Sequence, residues 1–131
     1  MKFNNITSDE IDNIIELAED RKNNIMKFNE YQKLAKTTAV YPTQHRIIYP
    51  ALGLCGEAGE VADKIKKIIR EDSTLEQALG SIYMELGDVL WYVAILADDL
   101  GIELEDIAKW NIRKLQQRMK NNKIKGDGDN R

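Results

Sequence analysis

A chain of 131 residues and 15.0 kDa has the mass of one compact domain, and only two prolines and eight glycines interrupt it. Its 43% hydrophobic and 31% charged residues are those of an ordinary globular protein and exclude wholesale disorder. A net charge of −3 argues against a general nucleic-acid binder, the apolar run from Val89 to Ala97 is short for a bilayer, and MKFNNITSDE has no signal core, so a cytoplasmic protein without nucleic-acid or membrane partners is expected.

Thr7 to Glu10 has the form of a capping box, and Ile11, Ile14, Ile15 and Ala18 follow at helical spacing, which predicts a helix from about Ser8 to Lys22. A short helix follows at Asn29 to Thr38. From Val40 to Pro50, the dipeptides Tyr41-Pro42 and Tyr49-Pro50 predict an irregular connector, because a residue before proline avoids the helical region. Its His45, the one histidine, reads as a surface or packing residue.

The next helix, about Ala51 to Glu71, carries an apolar stripe of Leu54, Ala58, Val61, Ala62, Ile65, Ile68 and Ile69. Ser73 with Glu76 offers a capping box for a helix reaching Leu100, where Gly101 supplies the stop. A last helix, about Glu103 to Asn121, is expected to bury Leu104, Ala108, Ile112, Leu115 and Met119. No segment reads as a strand, so the fold class is all-α, a bundle of four to five helices. Cys55 stands alone, forms no internal disulfide, and is expected as a small buried thiol.

Four acids stand out. At about 100° per residue, Glu57 and Glu60 border the apolar face of their helix with Lys64 beside them, and Glu85, Asp88 and Tyr92 take the same stations on the next. The text repeats as well, Glu57-Ala58-Gly59-Glu60-Val61 against Glu85-Leu86-Gly87-Asp88-Val89. Two such helices joined by a short turn pack antiparallel at about 8 to 10 Å, and a two-fold relation between them would aim all four carboxylates into one gap.

Clustered carboxylates repel unless a cation neutralises them, and an all-oxygen donor set suits Mg²⁺, with Mn²⁺ a second choice. The competing reading is a solvated charged face paired with Lys64 and Lys67. Gly53, Gly56, Gly59 and Gly87 surround the acids inside helices, leaving either room for a ligand or close helix packing. Trp91 and Tyr92 could stack on a base or simply pack.

Charge is uneven along the chain. From Lys109 to Arg131 eight Lys or Arg face two Asp, a net of +6 that leaves −9 for the preceding 108 residues. Asn111, Lys114 and Arg118 share a stripe of the last helix that could meet phosphates or merely snorkel.

GLCGEAGEVADKIKK followed by ELGDVLWYVAILADDLGI resembles the MazG-like all-α nucleoside triphosphate pyrophosphohydrolases, a likeness covering about Asn29 to Arg131. It implies one domain over 26–131, with 1–25 an added helical extension. It also implies Mg²⁺-dependent hydrolysis of (deoxy)nucleoside triphosphates to the monophosphate and pyrophosphate, a nucleotide-pool house-cleaning role, and metal held by Glu57, Glu60, Glu85 and Asp88. Lys64, Asn111, Lys114 and Arg118 would face phosphate or sugar. By analogy with related dCTP and dUTP pyrophosphatases, Gln32 and Tyr41 would line the base pocket and Tyr92 would lie under the sugar. A homodimer or homotetramer, with sites completed across subunits, is implied too. The other class of function is a non-catalytic helical module that binds a nucleotide or metal to regulate a partner.

Overall fold

The computed structural model describes residues 25–121 and 123–125, so the expected Ser8 to Lys22 helix lies outside the described residues. Those residues form four α-helices, α1 (Phe28–Thr37), α2 (Ile48–Ile69), α3 (Leu75–Asp99) and α4 (Leu104–Lys120), and a 3₁₀ turn at Thr43–His45. No strand occurs among them, and the all-α expectation holds.

The helix ends follow local chemistry. Pro50 falls in the first turn of α2, where its missing N–H is not needed, so the helix begins three residues before the expected Ala51. Gly101, at φ 71°, closes α3: its N–H donates to the Asp98 carbonyl at 3.0 Å and that of Ile102 to Ala97 at 2.9 Å. The same closure ends α2 on a non-glycine, Glu71 at φ 63°, with Glu71 N–H to the Ile68 carbonyl at 3.0 Å and Asp72 N–H to Lys67 at 3.0 Å. A side chain in that left-handed conformation is strained, so Glu71→Gly should raise stability by about 1 kcal/mol, read as a higher urea midpoint. This turn displaces the expected capping box by one residue. Thr74 rather than Ser73 caps α3, its Oγ1 accepting from Gln77 N–H at 3.3 Å while Thr74 N–H donates to Gln77 Oε1 at 2.9 Å.

α2 and α3, joined by 70–74, pack antiparallel along their length: Gly53 meets Tyr92 and Glu57 meets Asp88, so the partner recedes on α3 as α2 advances. By length and hydropathy alone (25 residues, 1.3) α3 could span a bilayer. Glu85 and Asp88 near its middle make that location costly, and α1, α2 and α4 all pack on it.

The core is a knot of small and branched residues, Ala35, Ala94, Ile95 and Leu104, where α1 and the start of α4 meet the second half of α3. Alanines there let the helices approach closely. Trp91 packs against this core and its indole N–H donates to Thr38 Oγ1 at 2.8 Å, so packing is the arrangement found for it. Away from the knot the apolar stripes are poorly covered. Of the residues expected to be buried on the last helix, Leu104 is, Ala108 is half-buried, and Ile112, Leu115 and Met119 are exposed, because α4 packs on α1 and α3 alone among the helices that cover one another substantially. Leu52, Ile65 and Ile69 on α2 and Leu79, Tyr83, Met84, Leu86 and Leu90 on α3 are exposed as well. Cys55 is exposed, correcting the expected buried thiol, for the helix packed on α2 leaves its position uncovered. His45 is exposed in the 3₁₀ turn.

Candidate functional site

On α3 the i,i+3 spacing brings Glu85 and Asp88 to one face, and Glu57 approaches from α2. One carboxylate oxygen of each lies within 4.8 Å of the others, with Glu57 and Glu85 half-buried and Asp88 exposed. Glu60, a turn further along α2, is exposed and lies outside this trio. Its charge still reaches the site. The Glu57 carboxyl is pushed above the usual carboxylate range by partial burial, then by the charges of Asp88, Glu85 and Glu60.

Lys64 does not pair with Glu60 at i,i+4. Its Nζ crosses to Glu85 Oε1 at 3.3 Å, a counter-charge inside the acidic group. The Lys67 pairing does exist, with Asp63 at 2.7 Å, and Lys66 joins it at 2.6 Å. A solvated charged face therefore describes the Asp63 side of α2, and the trio is a separate arrangement. Its donors are all oxygen, at a mutual spacing one ion can bridge, and they fit a hard divalent cation.

Aromatic rings border the acids. Tyr92, one turn beyond Asp88, lies against Gly53 so closely that an added Cβ would overlap its ring. Tyr49 stands 6.5 Å from Tyr92 at 44°, and Tyr41 stacks on Tyr49 at 4.8 Å and 12°. Trp91 meets Tyr92 edge-on at 4.8 Å. The Tyr92 phenol is raised by burial, then by Tyr49 and by the charges of Glu57 and Asp88, which places it electrostatically within the site. Tyr31, on α1, is raised by burial and by Asp88. Neither Tyr31 nor Tyr49 was among the expected site residues. Tyr49 was within reach of a helical count: two turns back from Glu57 pass through Gly53 and end on Tyr49.

The helical glycines divide. Gly53 is a close-packing glycine, whereas Gly56, Gly59 and Gly87 have open space where a Cβ would sit. Gly53→Ala should therefore cost about 1 to 3 kcal/mol through displacement of Tyr92, while Gly59→Ala should stabilise the isolated fold by about 0.5 to 1 kcal/mol. Chemical denaturation of both variants checks the contrast.

Two expected base-site residues have their polar groups engaged outside the acidic trio. Gln32 is buried, its Nε2 donating to the Ile102 carbonyl at 2.9 Å and the Ala94 carbonyl at 3.4 Å while its Oε1 accepts from Leu104 N–H at 3.0 Å. Its amide belongs to the α1–α3–α4 junction. Tyr41 contributes a ring to the aromatic row, but its hydroxyl is turned away from the acids and donates to Asp99. Asn111, Lys114 and Arg118 line one wall of a groove of about 910 Å³ along α4, with Trp110 and Gln117, and no residue of the acidic trio borders it. Arg118 is buried. Within the described chain the basic stripe and the carboxylates form two separate places.

The MazG nucleotide pyrophosphohydrolase domain family matches residues 49–122, more than half of the chain and the whole of the α2–α3 pair apart from its first residue. The Gene 37 protein of Mycobacterium phage L5 is 42% identical over 114 residues, covering 81% of this chain and 100% of that protein. No solved structure matches.

Proposed function

The chain belongs to the MazG nucleotide pyrophosphohydrolase domain family, and on that premise we propose that it hydrolyses nucleoside triphosphates to the monophosphate and pyrophosphate with Mg²⁺ as cofactor. The observation that carries the site is the trio of Glu57, Glu85 and Asp88, whose oxygens converge from two helices to within 4.8 Å of one another. Glu57, Glu85 and Asp88 would hold the ion, with Glu60 at the edge. Mg²⁺ bound there would supply charge neutralisation for the phosphates and a lowered pKa for an attacking water.

The protein's own groups suit the rest. Water adds to the α-phosphorus, the bond from that phosphorus to the bridging oxygen breaks, and pyrophosphate leaves. A carboxylate takes the water's proton, and Glu57, whose partial burial and acidic neighbours already raise its proton affinity, is the better placed of the two α2 glutamates. Tyr92 and Tyr49 offer a ring surface beside the acids for the nucleoside. Lys64 pairs with Glu85, and a cation held by Glu85 would leave its ammonium available to meet phosphate.

The exposed apolar faces of α2 and α3 support a homo-oligomer, and a second copy could bring the exposed Asn111 and Lys114 of its basic stripe to the carboxylates of the first. A house-cleaning role in the nucleotide pool fits such an enzyme, as does a domain spanning 26–131. Release of pyrophosphate from a panel of ribo- and deoxynucleoside triphosphates, with and without Mg²⁺, tests the proposal. Metal-dependent turnover of at least one supports it. Tight binding with no turnover of any would leave a nucleotide-binding regulatory module in its place.

A further inference from the structure

We infer that Asp99 is a positioning residue for the candidate site, one that holds the 38–47 connector so that Tyr41 and Tyr49 continue the aromatic row ending at Tyr92. The inference rests on the proposed hydrolysis for its kinetic readout.

The Asp99 side chain is 1% exposed at the last residue of α3. That is a poor place for an anion, since burial penalises its charge and the carbonyl end of a helix repels it. No basic residue of α3's last turn relieves it, and Asp98 stands beside it. The relief comes from elsewhere. Tyr41 Oη donates to Oδ2, Lys36 Nζ lies 2.9 Å from Oδ1, the Ile47 N–H reaches Oδ2 at 3.4 Å, and Arg46 Nε lies 3.8 Å from Oδ1. Three of those four partners belong to the connector. Burial by itself would raise the Asp99 carboxyl, yet Tyr41, Lys36 and the Ile47 N–H together hold it below the usual carboxylate range. The Tyr41 phenol, pushed up to about 12 by burial and by Asp99, remains a donor at any physiological pH.

The connector is itself under tension at this point. Ile47 has φ 69° and ψ −51°, and Ile48 N–H donates to the Arg46 carbonyl at 2.8 Å, a tight turn of positive φ that a β-branched residue rarely adopts. Such a conformation persists where surrounding contacts over-determine it. Asp99 supplies them. Immediately after this turn α2 begins, and Tyr49 in its first turn stacks on Tyr41 and faces Tyr92. A buried anion in an unfavourable place and a strained turn thus meet at one carboxylate, and what they fix is the far end of the row that borders Glu57 and Asp88.

The test compares Asp99→Asn, Tyr41→Phe and the double variant in KM and kcat at saturating Mg²⁺, using a triphosphate that the wild type hydrolyses. Tryptic cleavage after Arg46 without nucleotide and the urea midpoint are measured alongside. Asp99→Asn should raise KM roughly tenfold with kcat within about twofold, because the row must then be ordered when the nucleotide binds. Cleavage at Arg46 should quicken, and the double variant should be no worse in KM than Asp99→Asn alone. A lowered urea midpoint with unchanged KM, or additive effects of the two substitutions, overturns the inference. Should Asp99→Asn not fold, Tyr41→Phe decides: a raised KM supports the inference and an unchanged one overturns it. If the wild type hydrolyses nothing, the proposed function fails separately, and the cleavage rate decides positioning, quickened in support and unchanged against.

Discussion

Asp88→Asn is expected to reduce pyrophosphate release on the order of 10²–10³-fold, the range for removing one preorganised electrostatic group from a transition state, while the metal-free protein melts at an unchanged or higher temperature. The two halves of this result have one cause. Asp88 lies in the trio with Glu57 and Glu85, and among the neighbouring charges that raise the Glu57 carboxyl it comes first. Without a cation these like charges oppose folding, so removing one relieves the fold as it disables the site. The sign with pH follows. A carboxyl whose folded pKa is raised contributes stability below its unfolded value, about 4.3, and loses it as pH rises through the folded value. Mild acidification of the metal-free wild type should therefore recover what Glu57 loses at neutral pH, and Asp88→Asn should shrink that gain. Added Mg²⁺ should raise the wild-type melting temperature at neutral pH and the variant's much less. Calorimetry across pH, with and without Mg²⁺, checks all three. A variant that unfolds would instead make Asp88 a structural partner.

Much of this site was legible because its signals are local. The E-x-G-(E/D)-V repeat sets acids at i,i+3, and a short connection between two long helices brings Glu57, Glu85 and Asp88 together, while Glu60, a turn further along α2, stays outside the group. Gly101 announced the end of α3 for the same reason, since the left-handed conformation required there is almost a glycine property. Glu71 shows the limit of that rule: an identical closure was hidden behind a residue that pays for it in strain.

What was not legible depends on distance in the chain. Asp99 reads as the second of two acids near a helix end, and nothing local shows that Lys36, Tyr41 and Arg46 converge on it. The burial expected for Ile112, Leu115 and Met119 followed correctly from their periodicity, yet a stripe states that a face seeks cover and not which element provides it. The basic stripe of α4 has the same ambiguity. Its spacing is plain, but its separation from the carboxylates within one chain depends on α4 packing on α1 and α3.

Gln32→Leu should cost about 2 to 4 kcal/mol of stability and leave nucleotide affinity of the folded fraction unchanged. The expectation rests on the start of α4. Glu103, at the N-cap, gives no side-chain hydrogen bond to the helix, and the first N–H groups are satisfied from α1 instead: Leu104 N–H by Gln32 Oε1 at 3.0 Å and Glu105 N–H by Asn29 Oδ1 at 3.1 Å. Gln32 caps a helix that is not its own, and its Nε2 also satisfies the Ile102 carbonyl beyond the end of α3. Leucine nearly matches glutamine in volume, so the loss isolates the polar contacts, at roughly 1 to 3 kcal/mol for each buried group left unpaired. Asn29→Ala should cost less, about 1 kcal/mol, since its cap is partly open to water. Urea unfolding supplies the stabilities, and titration of a non-hydrolysable triphosphate into the folded variant supplies the affinity. A Gln32→Leu protein of wild-type stability with weakened nucleotide binding would return Gln32 to the base pocket, and the α1–α4 junction would then need another explanation for its order.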